Sequence, residues 1–287
     1  MAMKTYYMLT KPGIILGNII TTAGGFALAA KGHINPWLFV VTLIGLAFVI
    51  ASAGVFNNYI DRVMDAKMAR TKDRALVKGL ITPLHAVIYG FLLGLIGIIV
   101  LAANTNLLTV FVAITGFFVY LVLYAFMKYR SFYGTLVGSI AGAVPPVVGY
   151  CAVSNNLDLG AWILFSIVVL WQMPHFFAIA IYRLDDYAAA SIPVLPIEKG
   201  MYVTKLQMAL YIVAFIATAT TLTFAGYTGY LFAAITVLLG LTWLGLGLYG
   251  FKNEKSHEKK WAYQMFVYSL VVIMGLCLTI PLDVIKN

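Results

Sequence analysis

Oxygen-bearing side chains recur at helical spacing just beyond an apolar run that ends near residue 56. Asn58, Asp61 and Asp65 are spaced i, i+3 and i+7, so on a helix all three share one face. Oxygen ligands on one face suit Mg²⁺, which binds a few carboxylates and leaves positions for water and phosphate oxygens. The alternative is a solvated helix end whose acids pair with Arg62 or Lys67. The context favours a catalytic magnesium site for a diphosphate, with Asn58, Asp61 and Asp65 as ligands.

Basic side chains follow these acids along the chain. Arginine and lysine neutralise diphosphate oxygens through charge-assisted hydrogen bonds, and arginine can make bidentate contacts. Arg70 and Arg74 are four residues apart and share a face if this segment is helical. The alternative is that such cations only anchor a loop on the cytoplasmic side of a membrane. The candidate diphosphate-binding residues are Arg62, Arg70, Lys72, Arg74, Lys78, Arg183 and Lys199.

A second acidic segment follows a later apolar run and contains Tyr182, Asp185 and Asp186. His175, Tyr182 and Asp186 share a face if the helix continues past Pro174. Tyr182 and Asp186 are therefore candidate catalytic residues, and Asp185 and Asp186 are candidate metal ligands. His175 would lie roughly 10 Å below the end of this helix, at 1.5 Å per residue. An ionisable side chain at that depth indicates a function, although a neutral histidine bonded to a neighbouring helix is equally ordinary.

The elements that position these residues are membrane helices. The 287 residues are 62% hydrophobic and 10% charged, whereas soluble domains carry about 25% charged residues. A bilayer crossing takes roughly 20 apolar residues, which predicts an all-α integral membrane protein whose nine transmembrane helices surround a central cavity in a single domain, 1–287. The predicted spans are 13–31, 38–56, 84–103, 107–127, 133–151, 160–181, 203–225, 228–249 and 262–282.

The distribution of basic residues tests this nine-span topology. All but Lys31 and Lys286 of the 19 lysines and arginines fall on the face that carries the N-terminus and both acidic segments. Basic residues concentrate on the cytoplasmic side, so we predict a cytoplasmic N-terminus, an active site at the cytoplasmic rim and a C-terminus on the opposite side. The net charge of +9 is then explained by topology, and nucleic acid is not an expected partner.

Several motifs together resemble the intramembrane aromatic prenyltransferase superfamily of the UbiA type, and within it the haem-modifying branch. The wider superfamily usually has aspartate in place of Asn58 and often an acidic residue in place of Tyr182, and both differences resemble that branch. The resemblance covers nearly the whole chain and rests on the segments Thr10–Gly13, Val55–Arg62, Arg70–Arg74, Tyr133–Thr135, Pro145–Pro146, Trp171–His175 and Ile192–Pro196.

The resemblance implies the reaction and its participants. It implies transfer of the farnesyl group of farnesyl diphosphate to a vinyl group of haem B, with addition of water, giving haem O and diphosphate for haem–copper oxidases. It also implies Mg²⁺ as cofactor, the cell inner membrane as location, and a haem A synthase or a terminal oxidase assembly factor as possible partner. His175 becomes the haem-contact candidate.

Three other readings are compatible with parts of the sequence. A related membrane prenyltransferase would act on a quinone precursor, but the setting of His175 favours haem. A transporter would place acids along a pore, whereas here they lie at one rim. A haem-carrying assembly factor without catalysis would not need the metal motif.

Overall fold

The helices of the protein follow from its long apolar segments. The computed structural model describes residues 2–252 and 255–286. Within this part of the chain nine helices are long and apolar enough to cross a membrane, which confirms the predicted all-α membrane fold. We number them as spans 1 to 9: Pro12–Ala30, Pro36–Asp65, Pro83–Asn104, Leu107–Lys128, Gly134–Ser154, Leu159–Tyr182, Gly200–Phe224, Tyr230–Lys252 and Glu258–Asp283.

Spans 5 and 6 form the buried centre of the bundle. Span 5 packs against spans 1 and 4, while span 6 packs against spans 5, 7 and 9. Spans 1 and 5 approach closely because each has a glycine at the crossing. A Cβ added at Gly25 would lie 2.0 Å from the Pro146 carbonyl oxygen, and a Cβ added at Gly149 would lie 2.1 Å from the Thr22 carbonyl oxygen. Small residues at such crossings are typical of packing in lipid.

Spans 2, 4 and 5 differ from regular helices of the predicted length. Span 2 continues to Asp65 instead of ending near residue 56, so the first acidic motif is its last part. Span 4 contains a π-helical segment at Val119–Tyr124, a feature often found near functional sites. Span 5 is interrupted after Gly142, at the start of the Val144–Ser154 helix with its two prolines.

Both acidic segments lie at the same end of the bundle, which we call the loop face. It comprises the short helix Ala2–Leu9, the irregular loop 66–82, and the connection 183–199 with its short helices Leu184–Ala189 and Leu195–Glu198. Met68 of the first loop is buried in one cluster with Ala190, Ile192 and Val194 of the second. This cluster ties the two loops together.

Candidate functional site

The three residues of the first motif are buried at the end of span 2. Asn58, Asp61 and Asp65 are 4%, 3% and 2% exposed. Lys128 Nζ, at the end of span 4, donates to Asp61 Oδ2 at 2.6 Å, and the Tyr129 hydroxyl donates to Asp61 Oδ1. These carboxylates are therefore not a solvated helix end.

Asp65 has a cationic partner of its own. The Arg74 guanidinium donates to Asp65 Oδ2 at 2.5 Å, and the Thr71 hydroxyl donates to the Asp65 carbonyl oxygen at 2.9 Å. These two bonds fold the loop back onto the end of span 2. The structure thus places Arg74, one of the candidate cations, directly beside the acidic motif.

The amide of Asn58 connects the motif to the N-terminal helix. Its Nδ2 donates to the Leu9 carbonyl oxygen at 2.8 Å and to the Gly54 carbonyl oxygen at 3.1 Å. Both amide hydrogens are then in use, which leaves Oδ1 as an acceptor or metal ligand. Asn58 therefore has the donor atom that the sequence interpretation requires.

A cavity of about 790 Å³ opens beside this motif at the loop face. Its polar wall combines Asn58 with cations from three parts of the chain. Of the candidate diphosphate-binding residues, Arg70 and Arg74 line it. Two lysines that were not predicted to take part in the chemistry, Lys4 and Lys11, line it as well. The cavity is large enough for a diphosphate head, and its wall carries these four cations against one acidic residue, Asp73.

Lys11 is the more deeply placed of these two lysines. It has a left-handed backbone, with φ at 59°, between the N-terminal helix and span 1. Its ammonium group donates to Asn57 Oδ1. Two effects lower the pKa of Lys11 to about 7: removal of the ammonium group from bulk water, which is the larger, and repulsion from Arg74. An anion in the cavity would relieve that repulsion.

Other predicted basic residues make contacts of their own. The Arg62 guanidinium lies 4.3 Å from the centre of the Tyr59 ring and donates to the Tyr59 carbonyl oxygen at 2.6 Å. Lys72 is exposed. Lys78 pairs with Asp73 at 2.6 Å on the surface, and this hydrogen bond lowers the pKa of Asp73.

The second motif is more open than the first. Asp185 is 81% exposed and pairs with Lys259 at 2.5 Å, while Asp186 is only partly buried. Tyr182 packs against Tyr263, with ring centres 5.2 Å apart, and the Arg183 guanidinium lies 4.4 Å from the Tyr182 ring centre.

Lys199 lies 5.8 Å from the centre of the Phe132 ring. Across the described residues, no three histidine, cysteine or acidic side chains converge as a metal cluster. The two loops are joined through the apolar cluster around Met68.

The donor chemistry of the first motif nevertheless fits Mg²⁺. Asn58 Oδ1 and the carboxylates of Asp61 and Asp65 are hard oxygen ligands on one helix face. Each carboxylate has one oxygen bound by a cation, Lys128 or Arg74, so a metal ion would share these groups with the cations or displace them.

His175 lies deep in span 6 and contacts span 9. Its Nδ1 is 2.7 Å from the Ser269 hydroxyl, and its ring stacks on Trp171 with centres 4.8 Å apart. Span 6 is continuous through Pro174 and ends at Tyr182, so His175 and Tyr182 share a helix face. Asp186 lies on the separate short helix Leu184–Ala189, and the predicted shared face does not extend to it. The hydrogen-bonded histidine anticipated as the ordinary alternative is thus present, and it is compatible with a further contact through Nε2.

Residues 18–270 match the UbiA prenyltransferase family. The chain belongs to this family. Among curated UbiA-family relatives, it is 55% identical to protoheme IX farnesyltransferase of Protochlamydia amoebophila, over 98% of this chain and 99% of that protein. It is also 50% identical to the protoheme IX farnesyltransferase of Cronobacter sakazakii, over 98% of this chain and 95% of that protein. The resemblance inferred from the motifs is confirmed.

Solved structures of other proteins share this fold. A digeranylgeranylglyceryl phosphate synthase superposes with a TM-score of 0.79 at 16% identity, covering 97% of this chain and 98% of that one. A UbiA homolog from Archaeoglobus fulgidus, bound to GPP and Mg²⁺, superposes with a TM-score of 0.73 at 14% identity. The match covers 94% of this chain and 99% of that one.

Two residues of this UbiA-family site, Lys11 and Lys128, were interpreted from the sequence only as topological charges. Lys128 lies 67 positions from Asp61 along the chain, and Lys11 lies 46 positions from Asn57. One signal was available for Lys11. It stands immediately before Pro12 in a motif that carries the family resemblance, whereas nothing local distinguishes Lys128.

Proposed function

We propose that this protein transfers the farnesyl group of farnesyl diphosphate to a vinyl group of haem B, with addition of water, giving haem O and diphosphate. The identity of 55% to a protoheme IX farnesyltransferase over almost the whole of both chains supports the substrates. The observation that carries the chemistry is the buried pairing of Asp61 with Lys128 and of Asp65 with Arg74 beside a cation-lined cavity.

The diphosphate head belongs in this cavity. Lys11, Arg70 and Arg74 supply positive charge from two segments of the chain that line the cavity, and the partial withdrawal of Lys11 and Arg74 from water strengthens their attraction to an anion. Asn58, Asp61 and Asp65 would hold Mg²⁺, which supplies charge stabilisation to the departing diphosphate. From the second motif we assign Asp186 to the same site rather than Asp185, because Asp185 is at the surface whereas Asp186 is partly buried.

Cleavage of the bond between the farnesyl carbon and the diphosphate oxygen leaves allylic cation character on the farnesyl group. The electron-rich vinyl group of haem attacks this carbon, and water adds to the resulting cation. The cations at the rim retain the diphosphate, so that charge separation takes place inside the protein. His175, well below the rim, would contact the haem.

The apolar parts of both substrates need a route from lipid. Gly13 and Gly17 of span 1 have open space where a side chain would start, whereas a Cβ added at Gly24 would lie 3.1 Å from Cys277 Sγ of span 9. Span 1 is therefore uncovered towards the loop face and packed at its other end. We assign this uncovered stretch to the farnesyl chain.

The same proposal includes the location and orientation of the protein in the cell. The loop face would be the cytoplasmic side of the cell inner membrane, with the C-terminus opposite. Haem O would pass to a haem A synthase or a terminal oxidase assembly partner.

The test is a reconstituted reaction. Purified protein in lipid nanodiscs is incubated with haem B, farnesyl diphosphate and Mg²⁺, and products are separated by liquid chromatography and mass spectrometry. We expect haem O from the wild-type protein, and its formation should be about 10³-fold slower with Asp61→Asn. A protein that leaves haem unchanged but prenylates 4-hydroxybenzoate under the same conditions would overturn the haem assignment.

A further inference from the structure

The proton of the His175 ring can be assigned from the bonds of Ser269. The Ser269 hydroxyl carries a single hydrogen, which it donates to the Phe266 carbonyl oxygen at 2.5 Å. Its oxygen, 2.7 Å from His175 Nδ1, must therefore accept from that nitrogen. The neutral ring is protonated on Nδ1, and its lone pair is on Nε2.

The orientation of this ring is fixed from two helices. The Trp171 indole nitrogen donates to the Ser269 carbonyl oxygen at 2.8 Å, and the Trp171 ring stacks on the imidazole. Phe266 packs against the imidazole from span 9, with ring centres 5.1 Å apart. Ser269 thus accepts hydrogen bonds from both Trp171 and His175, so the direction in which His175 Nε2 points is fixed.

Gln172 supplies a second acceptor on the same helix. It is 6% exposed, and its Oε1 is buried without a hydrogen-bond partner among the described residues. Its amide lies against Gly142 of span 5, where a Cβ would come within 2.4 Å of Oε1. A buried acceptor without a donor indicates a place for a water or a ligand donor. Gln172 and His175 are three positions apart on the helix, so they are neighbours on its surface.

We infer that His175 Nε2 and Gln172 Oε1 together hold the water molecule that becomes the hydroxyl group of haem O, with Ser269 as a positioning residue; this inference rests on the proposed farnesyl transfer. The water donates one hydrogen to each acceptor, which turns an oxygen lone pair away from both and towards the haem.

The step balances without any further reactant. A carbon–carbon bond forms between the farnesyl carbon and the terminal vinyl carbon as the bond to diphosphate breaks, and the inner vinyl carbon becomes cationic. The water oxygen bonds to that carbon, and one water proton moves to His175 Nε2 and then to solvent. If the water is misplaced, the same cation loses a proton from carbon and gives an alkene, lighter than haem O by one water.

The product ratio tests this role. In nanodiscs with haem B, farnesyl diphosphate and Mg²⁺, wild-type protein should give haem O that takes ¹⁸O from labelled water. Ser269→Ala and Gln172→Leu should each raise the alkene-to-alcohol ratio by about tenfold, and His175→Ala should also lower total turnover by about 10²-fold. The matched control is Ser166→Ala, which removes a hydroxyl of span 6 whose hydrogen bond, among the described residues, goes to the Trp162 carbonyl oxygen. This variant should keep the wild-type ratio.

Each failure has a distinct signature. If wild-type protein forms no farnesylated haem, the proposed function fails. If wild type forms haem O and Ser269→Ala and Gln172→Leu keep its alkene-to-alcohol ratio, the water-holding role is overturned while the function stands. A visible spectrum of bound haem B that loses a histidine-ligated form in His175→Ala would likewise overturn it, because Nε2 would then bind iron.

Discussion

The two acidic segments of the loop face differ in how they are held. In the first, Asp61 and Asp65 are buried and each is paired with a cation. In the second, Asp185 is at the surface and Asp186 is only partly covered. Buried carboxylates are costly unless paired, so the first segment is a fixed part of the structure. The second segment is less constrained and is free to approach a bound ligand. This difference predicts unequal effects of mutation in the two segments.

The largest effect is expected at Asp61. Asp61→Asn should lower turnover by about 10³-fold and should also destabilise the protein by about 3 kcal/mol, because Lys128, whose side chain is only 16% exposed, would lose its carboxylate partner. Thermal unfolding and haem O formation measure the two effects. The double variant Asp61→Asn, Lys128→Met should recover most of the stability and none of the activity. Recovered activity would remove Asp61 from the metal site.

The second segment provides a comparison between adjacent acids. Asp186→Asn should lower turnover by about 10²-fold through loss of a metal ligand, with little change in unfolding temperature. Asp185→Asn, at an exposed pair, should stay within about threefold of wild type. The assay is haem O formation over a range of Mg²⁺ concentrations. Equal losses in the two variants would contradict the assignment of Asp186 alone.

Lys11 predicts a pH dependence for binding of farnesyl diphosphate. Arg74, Lys128, Asp61 and Asp65 are the charged groups that act on it, and with burial they set its pKa at about 7. The ammonium form binds the diphosphate, so affinity should fall as the pH rises through 7. Lys11→Met should raise KM by about tenfold and abolish this dependence.

The matched variant for this test is Lys11→Arg. Arginine keeps its charge throughout this range, so this variant should bind farnesyl diphosphate with no loss of affinity between pH 6 and about 8.5. The measurement is KM for farnesyl diphosphate against pH. A slope that persists in Lys11→Arg would show that another group titrates.

The smallest effect is expected for the exposed pair of Lys78 with Asp73. Lys78→Met should change turnover by less than about threefold, because an exposed ion pair contributes little. Arg74→Met, in the same loop but beside Asp65, is the comparison and should be far less active. A loss in Lys78→Met as large as that in Arg74→Met would extend the diphosphate site across the whole loop.

The helices could be predicted because each crossing demands a long apolar segment, and each of the nine segments became one span. The spacing of Asn58, Asp61 and Asp65 was equally informative, since a helix places i, i+3 and i+7 on one face. Both predictions use information within one short stretch of chain.

What the sequence did not show depends on contacts between distant stretches. The pairing of Lys128 with Asp61 joins the ends of spans 4 and 2, and the bond from His175 to Ser269 joins spans 6 and 9. No periodicity within a segment encodes which helices are neighbours. The π-helical segment at Val119–Tyr124 is also invisible in the apolar pattern, because it shifts the register of a helix that stays apolar throughout.

The bond from Asn58 to the Leu9 carbonyl oxygen bears on how this protein should be handled at the bench. It fixes the end of the N-terminal helix beside the cavity, and Lys4 and Met8 form part of the cavity wall. A purification tag or fluorescent fusion at the amino terminus would therefore emerge next to the diphosphate entrance and compete with the substrate. We expect a carboxy-terminal tag, attached beyond span 9, to leave the entrance clear.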